Sequence, residues 1–304
     1  MSSVAAVVVT FNRQELLCRC LDALMAQTLP VDEIIVVDNA SSDGTPDVLR
    51  LDYPELTHLR MSENFGPAGG FAEGIRYAYE NGHDWVWVFN DDDTPQAEAL
   101  QVLLEVARQV DIRRSGMIGS WRTIPGHVAR DSMMWRRGRF RPCSSTDSTR
   151  PYRVDLITFS GVLISSKLIT DIGVPRASYF MMFEETEYCL RAQTAGFEIY
   201  VVPKSLTDSL NAGSAGGASP PWRGYYQTRN HLLMVLEHRS PIELTWWAVR
   251  QAKFMLATML WLDRKWERGR LRLLGAWHGL CGVDGRVIDP AGLFDDADTQ
   301  HLRP

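Results

Sequence analysis

Three consecutive aspartates are the strongest chemical signal in the chain. Asp91, Asp92 and Asp93 directly follow residues 84–90, DWVWVFN, an apolar stretch typical of a buried strand. Carboxylates this close together repel one another and need a counter-charge. Mg²⁺ or Mn²⁺ would supply it, because hard divalent cations prefer carboxylate and phosphate oxygens. The alternative is an acidic turn that caps a helix beginning near Thr94, and the preceding apolar strand favours the metal.

A second acidic cluster precedes a helical segment. Glu184, Glu185 and Glu187 come immediately after residues 179–183, YFMMF. Acidic residues are common in the first turn of a helix because they complement its dipole, which explains one or two of the glutamates. Three glutamates beside an apolar wall also suit a general base, since an apolar setting raises a carboxyl pKa. We therefore expect a catalytic carboxylate here.

A glycine-rich turn at residues 64–71, NFGPAGGF, leads into a helical pattern. Glycines such as Gly69 and Gly70 permit a ligand to approach backbone N–H groups closely. The turn lacks the Gly-Lys-Ser/Thr ending of a Walker loop and the spacing of a Rossmann fingerprint. It therefore argues against a nicotinamide cofactor and indicates a ligand site only together with the other clusters.

Alternating strands and helices could position these clusters. The sequence predicts strands at residues 4–10, 33–38, 58–61, 84–90 and 198–202, and helices at residues 14–27 and 66–81. This alternation predicts an α/β fold with a mostly parallel sheet, whose functional loops lie at the carboxyl ends of the strands. Thr10, Asp38 and the three aspartates all end or follow predicted strands, so they should converge on one sheet edge.

The other segments carry weaker signals. Residues 113–153 are rich in arginine and lack clear periodicity, which predicts hairpins or loops. Residues 241–263 predict an amphipathic helix with its charges on one face. That helix would either pack on the domain or lie on a membrane surface.

Composition excludes several classes of protein. The chain has 304 residues and a formal net charge of −5, which argues against nucleic-acid binding. Five scattered cysteines indicate a reducing compartment. With neither a signal-peptide pattern nor an apolar run of about 18 residues, the chain is expected in the cytoplasm. Basic runs leave open a peripheral contact with the cytosolic face of the plasma membrane.

In this order, the motifs resemble family 2 glycosyltransferases, which have the GT-A fold. The resemblance covers residues 4–202. It rests on VVTFNR at 8–13, IVVDN at 35–39 with SDGT at 42–45, NFGPAGGF at 64–71, the aspartates at 91–93 and FEETEYCLR at 183–191. The resemblance implies a Rossmann-like, mostly parallel mixed sheet flanked by helices, with a helical C-terminal extension.

The resemblance also implies roles for individual residues. The residues that would bind the nucleotide-sugar donor are Thr10, Asn12, Arg13, Asp38, Asn64, Gly69, Gly70, Asp91 and Asp92. Asp91 and Asp93 occupy the positions of the DxD motif, which binds Mg²⁺ or Mn²⁺. Glu185 takes the general-base position, where relatives usually have Asp, and Glu184 supports it. Glu187 and Arg229 would bind the acceptor.

One departure from the family concerns the metal shell. Relatives usually complete it with a His after the strand at residues 198–202, whereas residues 207–211 here read TDSLN. Asp208 could replace that His as an oxygen ligand, or fewer protein groups hold the metal. The resemblance thus implies an inverting, metal-dependent transfer from a nucleotide-diphosphate sugar, with a UDP-sugar favoured, to a hydroxyl of a glycan or polyprenyl-linked acceptor.

Looser motifs bear on the sugar and on the domain layout. The turn at residues 64–71 is most similar to bacterial galactofuranosyltransferases of cell-wall assembly, and YYQTRN at 225–230 resembles these and rhamnosyltransferases. We expect a GT-A catalytic domain at residues 1–220, with a donor half at about 1–112 and an acceptor and base half at about 150–220. Residues 221–304 would form a helical region in possible contact with membrane.

Three alternatives differ in activity. A rhamnosyltransferase would use dTDP-rhamnose as donor. A non-catalytic subunit that binds nucleotide sugars is favoured slightly by the missing His. A sugar-phosphate nucleotidyltransferase would need a Gly-rich basic loop after the first strand, which residues 11–13, FNR, do not supply.

Overall fold

The computed structural model describes residues 2–109, 114–124, 133–136, 138–143, 149–210, 220–261 and 263–289. They form two compact units. The first comprises the described residues up to Ala177 and from Glu184 to residue 210. The second comprises Ser178–Phe183 and the described residues from 220 onward.

The first unit is built on a mixed β-sheet. Its strands and one separate hairpin are β1 (Val4–Thr10), β2 (Glu33–Asp38), β3 (Thr57–Arg60), β4 (Trp85–Asn90), β5 (Asp93–Pro95), β6 (Ser115–Thr123), β7 (Met133–Arg136), β8 (Arg139–Pro142), β9 (Tyr152–Val154), β10 (Val162–Ser165) and β11 (Glu198–Ser209). Within the described residues the sheet order is β3-β2-β1-β4-β10-β6-β11-β5, with β9 beside β11 and the hairpin β7-β8 apart.

Parallel pairing brings the predicted functional ends together. Strands β1, β2 and β4 are parallel, and their register pairs Thr10 with Asp38 and Val9 with Asn90. All seven residues of β1 are buried, as expected for a β-branched strand covered on both faces. The carboxyl ends of the three strands therefore lie side by side, as the sequence predicts.

Helices cover this sheet. Those of the first unit are α1 (Gln14–Met25), α2 (Thr45–Asp52), α3 (Gly66–Glu80), α4 (Ala99–Gln109), α5 (Ser166–Ile172) and α6 (Glu184–Thr194). The main core packs Leu17, Leu21 and Leu24 of α1, among others, against the sheet. Helix α3 lies so close that a Cβ on Gly70 would come within 2.4 Å of Val9 Cγ1. Gly70 is therefore a packing glycine for a helix on a strand.

The α/β class and mostly parallel sheet are confirmed, and the middle of the chain is more regular than predicted. Residues 115–123 form β6, which pairs with β10 and β11, although hairpins or loops were expected across residues 113–153. Strand β11 extends to Ser209, seven residues beyond the predicted end, and pairs with the short strand β5. The tract at residues 144–148 lies outside the described residues.

The second unit is helical. A 3₁₀ turn at Ala177–Tyr179 leads into it, and its helices are α7 (Pro221–His238), α8 (Pro241–Trp261) and α9 (Lys265–Leu280). An aromatic cluster of Phe180, Trp222, Tyr225 and Tyr226 packs with Leu271 in its core. Across the part of the chain that the structure describes, no helix combines the length and apolarity needed to cross a membrane.

Candidate active site

Thr10, Arg13 and Asp91 form one hydrogen-bonded group at the carboxyl edge of the sheet. Thr10 Oγ1 donates to Asp91 Oδ2 at 2.9 Å, and Arg13 Nη1 donates to Asp91 Oδ1 at 3.0 Å. Arg13 also lies 3.8 Å from Asp92 Oδ2. Burial raises the pKa of Asp91, and the positive charge of Arg13 opposes that rise. The structure therefore brings together four of the predicted donor residues, Thr10, Arg13, Asp91 and Asp92, and the guanidinium of Arg13 is half-exposed.

Asp93 is the most deeply buried of the three aspartates. Its Oδ2 accepts hydrogen bonds from the backbone N and side-chain Nδ2 of Asn90, at 3.1 and 3.3 Å. Its Oδ1 accepts no hydrogen bond within the described residues, and Arg122 Nε lies 3.9 Å away. Burial, followed by the negative charge of Asp92, raises the pKa of Asp93 to about 6. The Ser160 side chain and the positive charge of Arg122 oppose this rise, so the buried carboxylate is only partly compensated.

Asp208 does not join these aspartates, which differs from the expected ligand set. In the pairing of β11 with β5, Ser209 stands opposite Asp93 and Asp208 stands opposite Thr94. Because side chains alternate along a strand, Asp208 faces away from Asp93. Its carboxylate accepts a hydrogen bond from Thr123 Oγ1. Consistently, no three His, Cys, Asp or Glu side chains among the described residues are grouped so that they could hold a metal ion.

Asp38 is a buried carboxylate held by a partner that sequence reasoning missed. Its Oδ2 accepts from Arg60 Nη1 at 2.5 Å, and His58 Nε2 is 3.8 Å from the same oxygen. Its Oδ1 accepts from the backbone N of Ser41 at 2.8 Å. The parallel register of β2 and β3 sets Arg60 opposite Asp38, so a strand alignment could have found it.

Asn12 links two loops at the same edge. Its side-chain Oδ1 accepts from the backbone N of Ser42 at 2.7 Å and of Asp43 at 3.4 Å. Asn12 itself has a φ of 52°, a conformation that Asn tolerates better than most residues. The loop that follows β1 is thereby joined to the loop that follows β2.

The glycine-rich turn has a structural explanation. Asn64 Oδ1 accepts from the backbone N of Gly66 at 2.8 Å, and Gly66 has a φ of 71°. Gly69 and Gly70 are buried, and a Cβ on Gly69 would come within 2.4 Å of Phe65 Cβ. Gly70 therefore permits close packing of α3 on β1 and Gly69 permits the close approach of Phe65, while the expected donor binding by these glycines stays a prediction.

Glu185 is oriented by the backbone of Phe159. The N–H of Phe159 donates to Glu185 Oε1 at 2.7 Å, and the carbonyl O of Phe159 accepts from Asn90 Nδ2 at 3.2 Å. Asn90 also bonds Asp93, so Phe159 connects the predicted base with the strand that ends in the aspartates. Glu185 remains partly exposed, whereas Glu184 beside it is buried.

Glu187 and Arg229 are engaged inside their own units. Glu187 is buried and forms ion pairs with Arg191, at 2.8 Å, and Arg176, at 3.1 Å. Arg229 is 0% exposed and donates to the carbonyl oxygens of Gly285 and Tyr179. These contacts differ from the expected acceptor binding, because both charged groups are buried and serve to join segments of the chain.

The fold is that of the GT-A glycosyltransferases. The structure of GalNAc-T7 with UDP, GalNAc and Mn²⁺ has a TM-score of 0.64 at 12% identity and covers 93% of this chain and 56% of that chain. The family model of glycosyl transferase family 2 matches residues 5–173. The chain belongs to this family.

Two curated relatives extend along nearly the whole chain. Galactofuranosyltransferase GlfT1 of Mycobacterium tuberculosis is 32% identical over 293 residues, which cover 90% of this chain and 95% of that protein. The dTDP-rhamnosyl transferase RfbF of Shigella flexneri is 23% identical over 303 residues, which cover 93% of this chain and 97% of that protein.

Proposed function

We propose that this chain is an inverting glycosyltransferase that moves a sugar from a nucleotide-diphosphate donor to a hydroxyl group. The observation that carries the proposal is the chain of contacts from Asp93 through Asn90 and Phe159 to Glu185. It joins an aspartate cluster suited to a diphosphate and its cation with a partly exposed carboxylate suited to proton removal. Membership of family 2 supports the same reaction.

The donor would lie at the carboxyl edge of β1, β2 and β4. We assign the nucleoside to the neighbourhood of Asp38 and Asn12, and the diphosphate to Arg13, whose half-exposed guanidinium carries several N–H donors. Thr10 and Asp91 fix the position of Arg13. The solved complex of GalNAc-T7 with UDP supports a uridine nucleotide as donor.

A divalent cation fits the aspartate cluster. Asp93 offers a buried oxygen without a hydrogen bond in the described residues, and Asp91 offers lone pairs beyond those that Thr10 and Arg13 use. Mg²⁺ is typically bound by one or two carboxylates together with substrate phosphates, so a third protein carboxylate is not required. We therefore propose Asp91 and Asp93 as its ligands and leave Asp208 out. When bound, the cation would neutralise charge on the leaving diphosphate.

Glu185 would act as the general base. The N–H of Phe159 orients the carboxylate by its hydrogen bond to Oε1, and this partly exposed carboxylate would accept the proton of the acceptor hydroxyl. The deprotonated oxygen attacks the anomeric carbon opposite the diphosphate, and this displacement inverts the configuration. Glutamate performs the chemistry of the aspartate usual in relatives, with a longer reach.

Galactofuranose is the sugar that we favour. The support is the 32% identity to the Mycobacterium tuberculosis galactofuranosyltransferase over nearly the full chain, which exceeds the 23% identity to the Shigella rhamnosyltransferase. The acceptor that we propose is a glycan, free or attached to a polyprenyl lipid, in cell-envelope polysaccharide synthesis. A rhamnosyltransferase with dTDP-rhamnose remains the second candidate because that relative also spans the whole chain.

Helix α9 presents an apolar stripe that suits contact with lipid. Trp266, Leu273, Trp277 and Leu280 recur at helical spacing and are 62–87% exposed. Arg270 lies on the same exposed stripe, where a long basic side chain can pair with anionic headgroups. We propose peripheral binding of this helix to an anionic bilayer. Sedimentation with vesicles of anionic phospholipid should fall several-fold in a Trp266→Ala, Trp277→Ala variant, and equal sedimentation of both proteins would exclude this contact.

A donor panel tests the proposed reaction. Thermal unfolding with Mn²⁺ and UDP-galactofuranose, UDP-galactopyranose, UDP-glucose, dTDP-rhamnose or GDP-mannose should show stabilisation by the true donor. Release of the nucleoside diphosphate on adding a polyprenyl-linked disaccharide should then separate an enzyme from a non-catalytic binding subunit. Absence of stabilisation by any nucleotide diphosphate would refute the proposal.

A further inference from the structure

The segment Ser178–Phe183 has a backbone that its residues rarely adopt. Phe180, Met182 and Phe183 have φ values of 62°, 68° and 71°. Residues with a Cβ seldom occupy this region, and such conformations persist only where surrounding contacts hold them. The segment leads directly into Glu184 and Glu185 at the start of α6. The contacts that hold residues 178–183 therefore act on the residues that directly precede the proposed base.

One side-chain amide binds most of this segment. Asn230 Nδ2 lies 3.0 Å from the carbonyl O of Tyr179, 2.7 Å from that of Met181 and 2.8 Å from that of Met182. Its two hydrogens thus serve three acceptors within four consecutive residues. Asn230 is 0% exposed and its bond to Tyr179 is buried, so water has little access to the amide itself.

Arg229 determines which way the amide points. Its Nε donates to Asn230 Oδ1 at 2.9 Å, which requires that Nδ2 face the segment. Its Nη2 donates to the carbonyl O of Tyr179 at 3.2 Å. The guanidinium lies 5.3 and 4.9 Å from the ring centroids of Tyr225 and Tyr226. This buried arginine therefore orients Asn230 and has no exposed surface for an acceptor.

Helix α7 also binds the aromatic side chains of the segment. The rings of Phe180 and Tyr226 lie 5.0 Å apart, and Phe183 stacks on His231 at 4.6 Å with an angle of 14° between the rings. Backbone and side chains of the segment are thus both held by one helix of the second unit.

We infer that Asn230 is a positioning residue for Glu185: its amide holds the backbone of residues 179–182, which includes the positive-φ residues Phe180 and Met182, and this segment continues directly into Glu184 and Glu185. The inference rests on the proposed function, because it concerns the base of that reaction. Loss of the amide would release the backbone towards ordinary φ values, and Glu185 would lose its alignment with the acceptor hydroxyl. Small misplacements of a catalytic group lower turnover strongly while leaving binding of the donor intact.

The test compares Asn230→Ala with a matched control on the same helix. Thr228 is also buried, and its hydroxyl bonds Gln251 and Arg272 instead of the segment, so Thr228→Val removes hydrogen bonds of α7 elsewhere. For each variant, UDP affinity by calorimetry, kcat and KM for UDP-galactofuranose with Mn²⁺, and the pH dependence of kcat are measured. Asn230→Ala should bind UDP within about 3-fold of the parent protein and lose about 30-fold or more in kcat, with a shifted acidic limb of the pH profile, where the base becomes protonated. Thr228→Val should retain kcat within about 3-fold.

A second variant covers the case in which Asn230→Ala does not fold. In the double variant Asn230→Ala, Met182→Gly, glycine adopts the positive φ without steric cost, so folding should return while turnover stays slow. A kcat near that of Thr228→Val in either folded variant would overturn the inference, and so would loss of folding in both. Glu185→Gln separates this from the proposed function. If Glu185→Gln turns over normally, the assignment of Glu185 as the base is wrong. If Glu185→Gln is inactive and Asn230→Ala is active, only the positioning role of Asn230 is refuted.

Discussion

The backbone N–H of Phe159 donates a 2.7 Å hydrogen bond to Glu185 Oε1. The carbonyl of the same residue accepts from Asn90, which directly precedes the aspartates at residues 91–93. One peptide segment therefore aligns the proposed base with the strand that ends in the proposed diphosphate site. Since the backbone supplies both bonds, the side chain at position 159 is free to pack, and its ring contacts Phe71 and Tyr188 edge-on.

The Asp38–Arg60 pair should matter for stability. Arg60→Met would leave the Asp38 carboxylate fully buried with its main counter-charge removed. Because Arg60 is partly exposed and Ser41 still donates to Asp38, we expect a loss of roughly 1–3 kcal/mol in the free energy of unfolding. Unfolding in denaturant measures this loss of stability. The control is Arg50→Met, which removes an exposed ion pair with Asp47 and should change stability by less than about 0.5 kcal/mol. Equal effects of the two substitutions would contradict the account.

Gly70→Ala distinguishes packing from ligand approach. The new methyl would come within 2.4 Å of Val9 Cγ1, so the variant should lose about 1–3 kcal/mol of stability even without ligand. Gly269→Ala is the control, because a Cβ there meets only the ends of methionine side chains at 3.6 Å or more. A Gly70→Ala protein of normal stability that no longer binds UDP would show that the glycine serves the ligand.

Acidification should destabilise the second unit through His231. Burial, with the charge of Arg250 as a smaller cause, lowers the pKa of His231 to about 3. Since the unfolded chain takes up a proton near pH 6.5 and the folded chain does not, stability falls as the pH drops below 6.5, by about 1.4 kcal/mol per pH unit from this group. His231→Phe keeps a ring to stack on Phe183 and should flatten this dependence between pH 6.5 and pH 4. An unchanged slope in urea unfolding across that range would contradict the buried neutral imidazole.

Metal should act through Asp93 and not through Asp208. Stabilisation by UDP should be lost in EDTA and restored by Mn²⁺, and Asp93→Asn should weaken this response about 10-fold or more in Mn²⁺ concentration. Asp208→Asn should leave it unchanged, because that side chain faces away from Asp93. A strong loss of Mn²⁺ response in Asp208→Asn would return Asp208 to the ligand set.

The sheet edge could be predicted because its strands are continuously apolar and end in polar residues. Parallel pairing then brings Thr10, Asp38 and Asp91 together without further information. Strand β5 could not be predicted, since three residues containing a proline have no periodicity and depend on pairing with β11. The partners of residues 179–182 were equally hidden, because Asn230 lies about 50 positions away and no local pattern links them.

The roles of single residues were predicted less completely than the edge itself. Gly70 has the residue type of a ligand-binding turn, and only the distance to Val9 reveals a packing role. Arg229 is charged and was expected at an acceptor, yet the aromatic residues at positions 225 and 226 bury it. Burial of a charged side chain depends on tertiary contacts, which composition and spacing do not encode.

Turnover by Glu185→Gln tests the central claim most directly. The variant keeps the shape of the side chain, so Mn²⁺-dependent binding of UDP should stay within about 3-fold of the parent protein, while kcat for transfer from UDP-galactofuranose to a polyprenyl-linked disaccharide should fall by about 10²–10⁴-fold. Loss of transfer with intact binding would support Glu185 as the base beside the aspartate site. Transfer at the rate of the parent protein would contradict it.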